Sequence, residues 1–208
     1  MNRVIFTVVF LFSAGLTVRG AAVFDWRAPV PGACRVQAVH ASAVPEDDAG
    51  ADSVRAVFRP ADWPVVLFRP EAGTWDWRAH TGIEVTVENL SSRMVVVHGK
   101  LESLEQSGSA QGAYSNVRLP AGSARTLAIS FDGGPHDVFW GMRGIPEVGI
   151  PTEGSVTPSE VALLKIFLAD PEEPAELRIR GFRLTDHPPV TERAPLPFVD
   201  RFGQYRYA

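Results

Sequence analysis

Short apolar and aromatic runs, separated by glycine and proline, recur along the chain without any long helical periodicity. The clearest is residues 81–89, in which Ile83, Val85 and Val87 alternate with polar residues. Alternation with a period of two predicts a strand with one buried face. Several short strands separated by turns are typical of a sandwich or barrel. We therefore predict an all-β fold, an antiparallel β-sandwich of the jelly-roll kind.

Seven further segments carry the same alternation or a continuous apolar run. They are residues 35–41, 53–58, 64–68, 94–104, 125–131, 161–168 and 176–184. Residues 161–168 are apolar except for Lys165, which predicts a central strand covered on both faces. The alternation in residues 176–184 changes phase at Gly181, which predicts a β-bulge. Since only a turn at 89–92 separates strands 81–89 and 94–104, we expect these two to pair antiparallel.

The two ends of the chain differ from the middle. Arg3, an apolar run over residues 4–16 and small residues at 20–22 are typical of a signal peptide, which predicts a leader at 1–22 and a secreted or periplasmic protein. The apolar run is short for a membrane span, although a retained anchor is the alternative. Near the other end, prolines between residues 188 and 197 predict an extended linker. The aromatic segment after it predicts the start of another domain.

The charge and the single cysteine exclude several kinds of protein. The net charge of −4 and the pI near 5.7 do not indicate the excess of basic residues that is typical of proteins that bind nucleic acid or an anionic membrane. Cys34 is the single cysteine, so no internal disulfide is possible. It lies well beyond the apolar run of the leader, which excludes a lipid-bearing cysteine. We expect Cys34 to be a buried thiol.

Several segments resemble one family. Residues 197–205 read Pro-Phe-Val-Asp-Arg-Phe-Gly-Gln-Tyr and resemble the junction that opens the catalytic (β/α)8 barrel of β-agarase-type glycoside hydrolases. Trp75-Asp76-Trp77, followed by strand 82–89 and its Asn turn, resembles an element of the β-sandwich that precedes that barrel. Residues 119–127 and 141–146 are similar to a glycine turn and a loop of the same sandwich. Residues 161–167 and 177–184 look like the closing strands of galactose-binding-like domains.

The resemblance implies a domain order and a function. Residues 23–187 would form a galactose-binding-like sandwich similar to a carbohydrate-binding module, and residues 188–208 the linker and the start of a missing barrel. Both catalytic carboxylates belong to the barrel in this family, so we expect no catalytic residue and no cofactor in this chain. The implied partners are a polysaccharide of the agar or galactan type and the barrel. Galactose-binding-like domains often carry an Asp near a structural calcium, but Arg180 stands there, so we expect no metal site.

The tryptophans are the candidate contacts with sugar or with the barrel. Pyranose rings present axial C–H groups that stack on flat aromatic faces, although aromatic residues also dominate protein cores. Trp75 and Trp77 share one face of an extended segment, and Asp76 and Arg78 share the other. The candidate residues combine aromatic, acidic and guanidinium groups. They are Trp75, Asp76, Trp77, Arg78, Trp140, Met142 and Arg143.

Three functions fit the sequence. The first is a sugar-binding module of an agarase-like hydrolase, for which we expect substitution of Trp75 or Trp77 to weaken binding to galactans. The second is a structural sandwich that packs on the barrel and shapes its cleft. The third is a stand-alone exported adhesion or interaction protein without sugar affinity. The sequence that follows residue 208 in the gene would separate the third from the other two.

Overall fold

Nearly all of the regular structure in the computed structural model is β. The structure describes residues 34–46, 53–108, 111–132 and 149–187, with the backbone alone for 149–153, and two short backbone segments at 198–199 and 205–206. The strands are β1 Cys34–Val39, β2 Ala41–Pro45, β3 Val54–Phe58, β4 Val65–Pro70, β5 Gly82–Asn89, β6 Val95–Ser103, β7 Ala113–Leu119, β8 Ala124–Ser130, β9 Gly149–Glu153, β10 Val161–Phe167, β11 Ala175–Thr185, β12 Phe198–Val199 and β13 Tyr205–Arg206. Two 3-10 turns, Leu104–Gln106 and Pro158–Glu160, accompany them.

Strands β1 to β11 form two antiparallel sheets. One has six strands in the order β1-β4-β10-β6-β7-β9, and the other has five in the order β2-β3-β11-β5-β8. Strands β12 and β13 pair with each other as a separate two-stranded sheet. The predicted antiparallel β-sandwich is confirmed.

The inward faces of both sheets supply the core. The alternation in β5 buries Ile83, Val85 and Val87, as predicted. Strand β10 lies between β4 and β6, and its Leu164 and Ile166 are fully buried. The predicted central position of the strand over 161–168 is therefore confirmed. The expected cover on both faces is not, because Lys165 and Phe167 lie on the outward face of the sheet, where the Lys165 side chain is 24% exposed.

The predicted pairing of strands 81–89 and 94–104 is wrong. Strand β5 pairs with β11 and β8 in the five-stranded sheet, whereas β6 pairs with β10 and β7 in the six-stranded sheet. The turn between them crosses the sandwich around the buried Asn89, whose Nδ2 donates to the carbonyl oxygens of Arg93 at 2.6 Å and Leu119 at 3.0 Å. Each strand buries one face in the core that the two sheets share. Two strands of a hairpin would show the same period-two alternation, so the pattern could not distinguish the two arrangements.

Two local predictions are confirmed. The register of β11 against β5 shifts between Arg180 and Arg183, and Gly181 there has a φ of +62° that favours glycine. The Cys34 thiol is buried, and burial raises its pKa to about 12. Strands β2, β7, β9, β12 and β13 were not predicted.

The predicted domain limits stay predictions. Strands β1 to β11 fall inside the expected sandwich at 23–187, and β12 and β13 fall inside 188–208. The expected leader at 1–22 and most of the linker lie outside the described residues. In the part of the chain that the structure describes, no helix is long and apolar enough to span a membrane.

Candidate ligand-binding face

Trp75 and Trp77 lie on one side of an extended segment that docks onto the sandwich. Trp75 exchanges backbone hydrogen bonds with Val161 at 2.8 and 3.1 Å. The two indoles stack at 5.0 Å with 8° between their planes, and Trp77 stacks on Phe131 at 5.8 Å. Trp77 is 5% exposed and belongs to the core, while Trp75 is partly buried against it. The geometry favours core packing for Trp77 and leaves Trp75 as a candidate contact.

Asp76 and Arg78 lie on the opposite side, as the parity of the segment predicts. Arg78 Nε donates to Asp76 Oδ1 at 2.9 Å and Nη2 donates to Oδ2 at 2.6 Å, so the pair is bidentate. Hydrogen bonds from the Arg78 side chain lower the pKa of the Asp76 carboxyl. Both side chains are exposed to solvent. They satisfy each other, and a ligand would have to compete with that pairing.

The second predicted segment cannot be compared with the structure. Trp140, Met142 and Arg143 lie outside the described residues. Their contact with sugar or with a barrel stays a prediction.

Four aromatic rings form a row, which we call the file, on the outward face of the six-stranded sheet. We call this outward face the aromatic face. Trp63, just before β4, packs on Phe167 with ring centroids 5.7 Å apart. Phe167 stacks on His98 at 5.1 Å, and His98 stacks on Tyr114 at 5.8 Å. The file thus runs from the turn before β4 across β10, β6 and β7, three adjacent strands of the sheet.

His98 holds the middle of this file as a neutral ring. Its Nδ1 shares a hydrogen bond with the Tyr114 hydroxyl. Burial lowers the pKa of His98 to about 4, because a charged imidazolium is poorly solvated there. The imidazole is therefore uncharged at neutral pH and stacks between Phe167 and Tyr114 as a flat aromatic ring.

Trp63 is the ring of the file that is open to solvent. Phe167 is 8% exposed, whereas Trp63 is 55% exposed. The Trp63 backbone has a φ of +53°, a conformation that a bulky residue adopts only under strain. Strained residues persist where the surrounding structure holds them, often at ligand-binding sites. An exposed indole in a strained backbone is the feature most typical of a binding platform on this molecule.

A charged cluster lies beside the aromatic file. Lys165 stands opposite Lys100 in the register, and both ammonium groups donate to Glu102 Oε1, at 2.6 and 2.9 Å. Burial of Glu102 raises its pKa, but hydrogen bonds from Lys165, Lys100 and the Gly108 amide outweigh that effect and lower it overall. Glu102 is therefore ionised at neutral pH although it is fully buried.

A surface cavity of about 540 Å³ opens at the Tyr114 end of the aromatic face. Polar side chains and two glycines line this cavity. The lining residues are Lys100, Gln106, Gln111, Gly112, Tyr114, Gly154 and Ser155. The cavity can thus hold a polar group next to the ring of Tyr114. No group of His, Cys, Asp and Glu within the described ranges could hold a metal ion.

The outward face of the five-stranded sheet is different in kind. Its arginines pair with glutamates across neighbouring strands: Arg55 with Glu176, Arg178 with Glu46 and Glu88, and Arg183 with Glu84. Its described outward positions carry no aromatic residue. Ion pairs thus dominate this face, although Val44 and Val57 are exposed beside them. The aromatic face is therefore the candidate site.

Sequence reasoning missed the aromatic face. Trp63 was one of five tryptophans, but it sits in a turn before Pro64, where no alternation assigns it to a face. His98 and Tyr114 are polar-phase residues of their strands, and only the order of the strands brings them together. One signal was available: Lys165 is the single charge in a strand that otherwise reads as fully buried.

Comparisons with solved structures give the fold. An exo-β-agarase matches 81% of this chain over 25% of its own length, with 13% identity and a TM-score of 0.60. Another agarase matches 81% of this chain over 25% of its length, with 12% identity and a TM-score of 0.60. A family 11 carbohydrate-binding module from Clostridium thermocellum matches 79% of this chain over 94% of its length, with 11% identity and a TM-score of 0.49.

The agarase likeness is partial in length. The chain spans about a quarter of the agarase chains that it matches. No family model matches the sequence, and no curated protein matches it. The described sandwich therefore has the fold of one part of an agarase chain, and the resemblance to the β-sandwich of β-agarase-type glycoside hydrolases is confirmed at the level of the fold.

Proposed function

We propose that this chain is the carbohydrate-binding accessory domain of an exported, agarase-like glycoside hydrolase. In this proposal the domain has no catalytic role of its own, and it binds a galactan-type polysaccharide on the aromatic face. The observation that carries the proposal is the exposed Trp63 at the end of the file formed with Phe167, His98 and Tyr114. The fold likeness to part of an agarase chain supports the same assignment.

The physical case rests on what sugars offer to a protein. A pyranose ring has an apolar C–H face that packs on an indole, and its hydroxyl groups need hydrogen-bond partners. Ligand sites combine apolar and aromatic surface with a few polar groups that fix orientation. Trp63 supplies the first, and Lys100, Gln111 and Asn116 stand on or beside the same face. The inner rings of the file pack on one another, so they hold the platform in place.

The cellular setting is part of the proposal. The basic residue, apolar run and small residues at 1–22 support export to a polysaccharide outside the cell. The segment after the proline-rich linker supports a catalytic barrel as the covalent partner of the sandwich. Tethering a binding domain to a catalytic domain raises the effective concentration of substrate at the catalytic site.

Affinity electrophoresis of the full chain tests the proposal. We expect retarded migration in gels that contain agarose or a related galactan, relative to a gel without polysaccharide. Trp63→Ala should abolish most of the retardation, and Arg180→Gln on the opposite sheet should leave it unchanged. Equal mobility of the unaltered chain in gels with and without polysaccharide would contradict the proposed sugar binding.

Packing on the barrel is the second candidate, and one observation favours it. Val39 and Trp63 are exposed apolar residues at the β1–β4 edge of the aromatic face, and Val65 lies opposite Val39 in the register. An exposed apolar patch of this kind is typical of a surface that contacts another domain. If it packs on the barrel, Trp63→Ala should lower the melting temperature of the parent enzyme and leave that of this chain alone nearly unchanged.

A further inference from the structure

We propose that a neutral sugar residue stacks on Trp63 and is held through its hydroxyl groups by His40 and Asp170, which lie in the turns on either side. The inference rests on the proposed carbohydrate-binding function and deepens it, because it places the sugar at one end of the sandwich and names the residues that recognise its hydroxyls. The juxtaposition that carries it is three exposed residues with unfavourable backbone conformations in three neighbouring turns.

The three turns lie side by side because the strands that they join are hydrogen-bonded neighbours. His40 directly follows β1, Trp63 comes two residues before β4, and Asp170 comes three residues after β10. Val65, the first residue of β4, lies opposite the last residue of β1 and also opposite the last residue of β10. Each of the three turns connects one sheet to the other. They therefore meet at the same end of the sandwich, with Trp63 in the middle.

The backbone of all three residues lies in the left-handed region. The φ angle is +52° at His40, +53° at Trp63 and +41° at Asp170. A Cβ atom makes this region unfavourable, although histidine and aspartate adopt it more often than most residues, whereas glycine adopts it freely. The six other residues with positive φ in the described ranges are all glycines. Glycine would suit these three turns as well, which indicates that their side chains serve a purpose other than shaping the turn.

The side chains of His40 and Asp170 are open to a ligand. Both residues are exposed, and neither side chain forms a hydrogen bond or an ion pair in the part of the chain that the structure describes. The Asp170 carboxylate can accept hydrogen bonds from sugar hydroxyls, and the His40 imidazole can donate or accept one. A hexose that lies with its C–H face on the indole presents hydroxyls at its rim, where such groups can bind them.

The charge at this end of the sandwich favours a neutral sugar over a sulfated or acidic one. Asp62 directly precedes Trp63, Glu172 follows Asp170 by two residues, and all of these residues are exposed. Arg59, whose amide donates to the carbonyl oxygen of the β1–β2 turn, offsets one of the three carboxylates. Carboxylates accept hydrogen bonds from neutral hydroxyls but repel a sulfate or a uronate.

Titration calorimetry of the full chain with neutral galactan oligosaccharides tests the inference. Asp170→Gly should weaken binding on the order of tenfold, because a hydrogen bond to a charged group is lost, and His40→Gly should weaken it by a smaller factor. Neither variant should lower the melting temperature, since glycine adopts the left-handed region without strain. Glu105→Gln removes an exposed carboxylate at the opposite end of the sandwich and should bind as the unaltered chain does.

Unchanged affinity in both glycine variants would overturn the inference, and the proposed function would stand if Trp63→Ala still abolished binding. Absence of binding by the unaltered chain would overturn the proposed function itself. A lower melting temperature in both glycine variants would also overturn the inference, because the side chains would then be needed to form the turns. Tighter binding of a sulfated galactan than of the neutral oligosaccharides would contradict recognition by carboxylates.

A second measurement on the unaltered chain decides the matter even if a glycine variant does not fold. The ring signals of His40 are assigned in a two-dimensional NMR spectrum by their loss in His40→Gln. On titration with the neutral oligosaccharides, these signals should shift over the same concentration range as the indole N–H signal of Trp63. A shift of the Trp63 signal without a shift of the His40 signals would overturn this role of His40.

Discussion

Two tryptophans of this chain occupy opposite environments. Trp77 is enclosed between Trp75 and Phe131, whereas Trp63 projects into solvent beside Phe167. The sequence could predict that Trp75 and Trp77 share a face, because that follows from the parity of an extended segment. It could not predict which tryptophan is exposed, because exposure depends on what packs over each ring.

The two environments predict opposite effects of truncation. Trp77→Ala should lower the free energy of unfolding by about 3–5 kcal/mol, the usual cost of removing a large buried ring. Trp63→Ala should change it by less than about 1 kcal/mol, since an exposed side chain is lost and no cavity forms. Urea denaturation of both variants measures the difference. A large destabilisation by Trp63→Ala would contradict its role as an exposed platform.

His98 predicts a specific dependence of stability on pH. Its pKa is about 4 in the folded chain, below the ordinary value of 6.5, so the unfolded chain binds the proton more readily. The neutral ring stabilises the fold fully above pH 6.5, and this contribution is lost as the pH falls from 6.5 to 4. The loss amounts to roughly 3 kcal/mol, since each pKa unit corresponds to about 1.4 kcal/mol.

Denaturant unfolding between pH 4 and 8 measures this effect. The carboxylates also titrate in the lower part of the range, so His98→Gln serves as the matched control. The unaltered chain should lose stability relative to His98→Gln as the pH falls from 6.5 to 4, so the difference between their free energies of unfolding should become smaller. A difference that stays constant from pH 7 to pH 4 would mean that His98 is not held neutral by burial.

At the scale of strands, alternation predicts which segments are strands but not their partners. Strands β5 and β6 have the same period-two pattern, and they lie in different sheets because the turn at Asn89 crosses the sandwich. Period-two alternation indicates only that one face of a strand is buried, and a strand in either sheet of the sandwich can bury that face in the core. The aromatic face depends on the order of the strands, and this is why its members could not be grouped from the sequence.

Asn89 is the residue on which that crossing depends. Its buried Nδ2 donates to the carbonyl oxygens of Arg93, Leu119 and Pro120, and its Oδ1 accepts from the Ser91 amide. Asn89→Ala should lower the free energy of unfolding by roughly 2–4 kcal/mol, because buried backbone carbonyls lose their partner. Ser92→Ala, at an exposed position of the same turn, is the control. Thermal unfolding of the two variants should separate them clearly, and equal melting temperatures would contradict this role of Asn89.

At the scale of the whole molecule, the two sheets present different outward surfaces. The five-stranded sheet pairs its arginines with glutamates, and the six-stranded sheet combines stacked aromatic rings with a cavity. The sandwich has the fold of part of an agarase chain and spans about a quarter of it. The proposed binding function is therefore assigned to the six-stranded sheet.

The central claim is that sugar binds on the aromatic face, and the most direct test follows the indole N–H signals by two-dimensional NMR. The Trp63 signal is assigned by its loss in Trp63→Phe, and that of Trp77 by Trp77→Phe. On titration with soluble galactan oligosaccharides, we expect the Trp63 signal to shift progressively while that of the buried Trp77 stays in place. Saturable shifts of other indole signals without a shift of the Trp63 signal would show that sugar binds elsewhere.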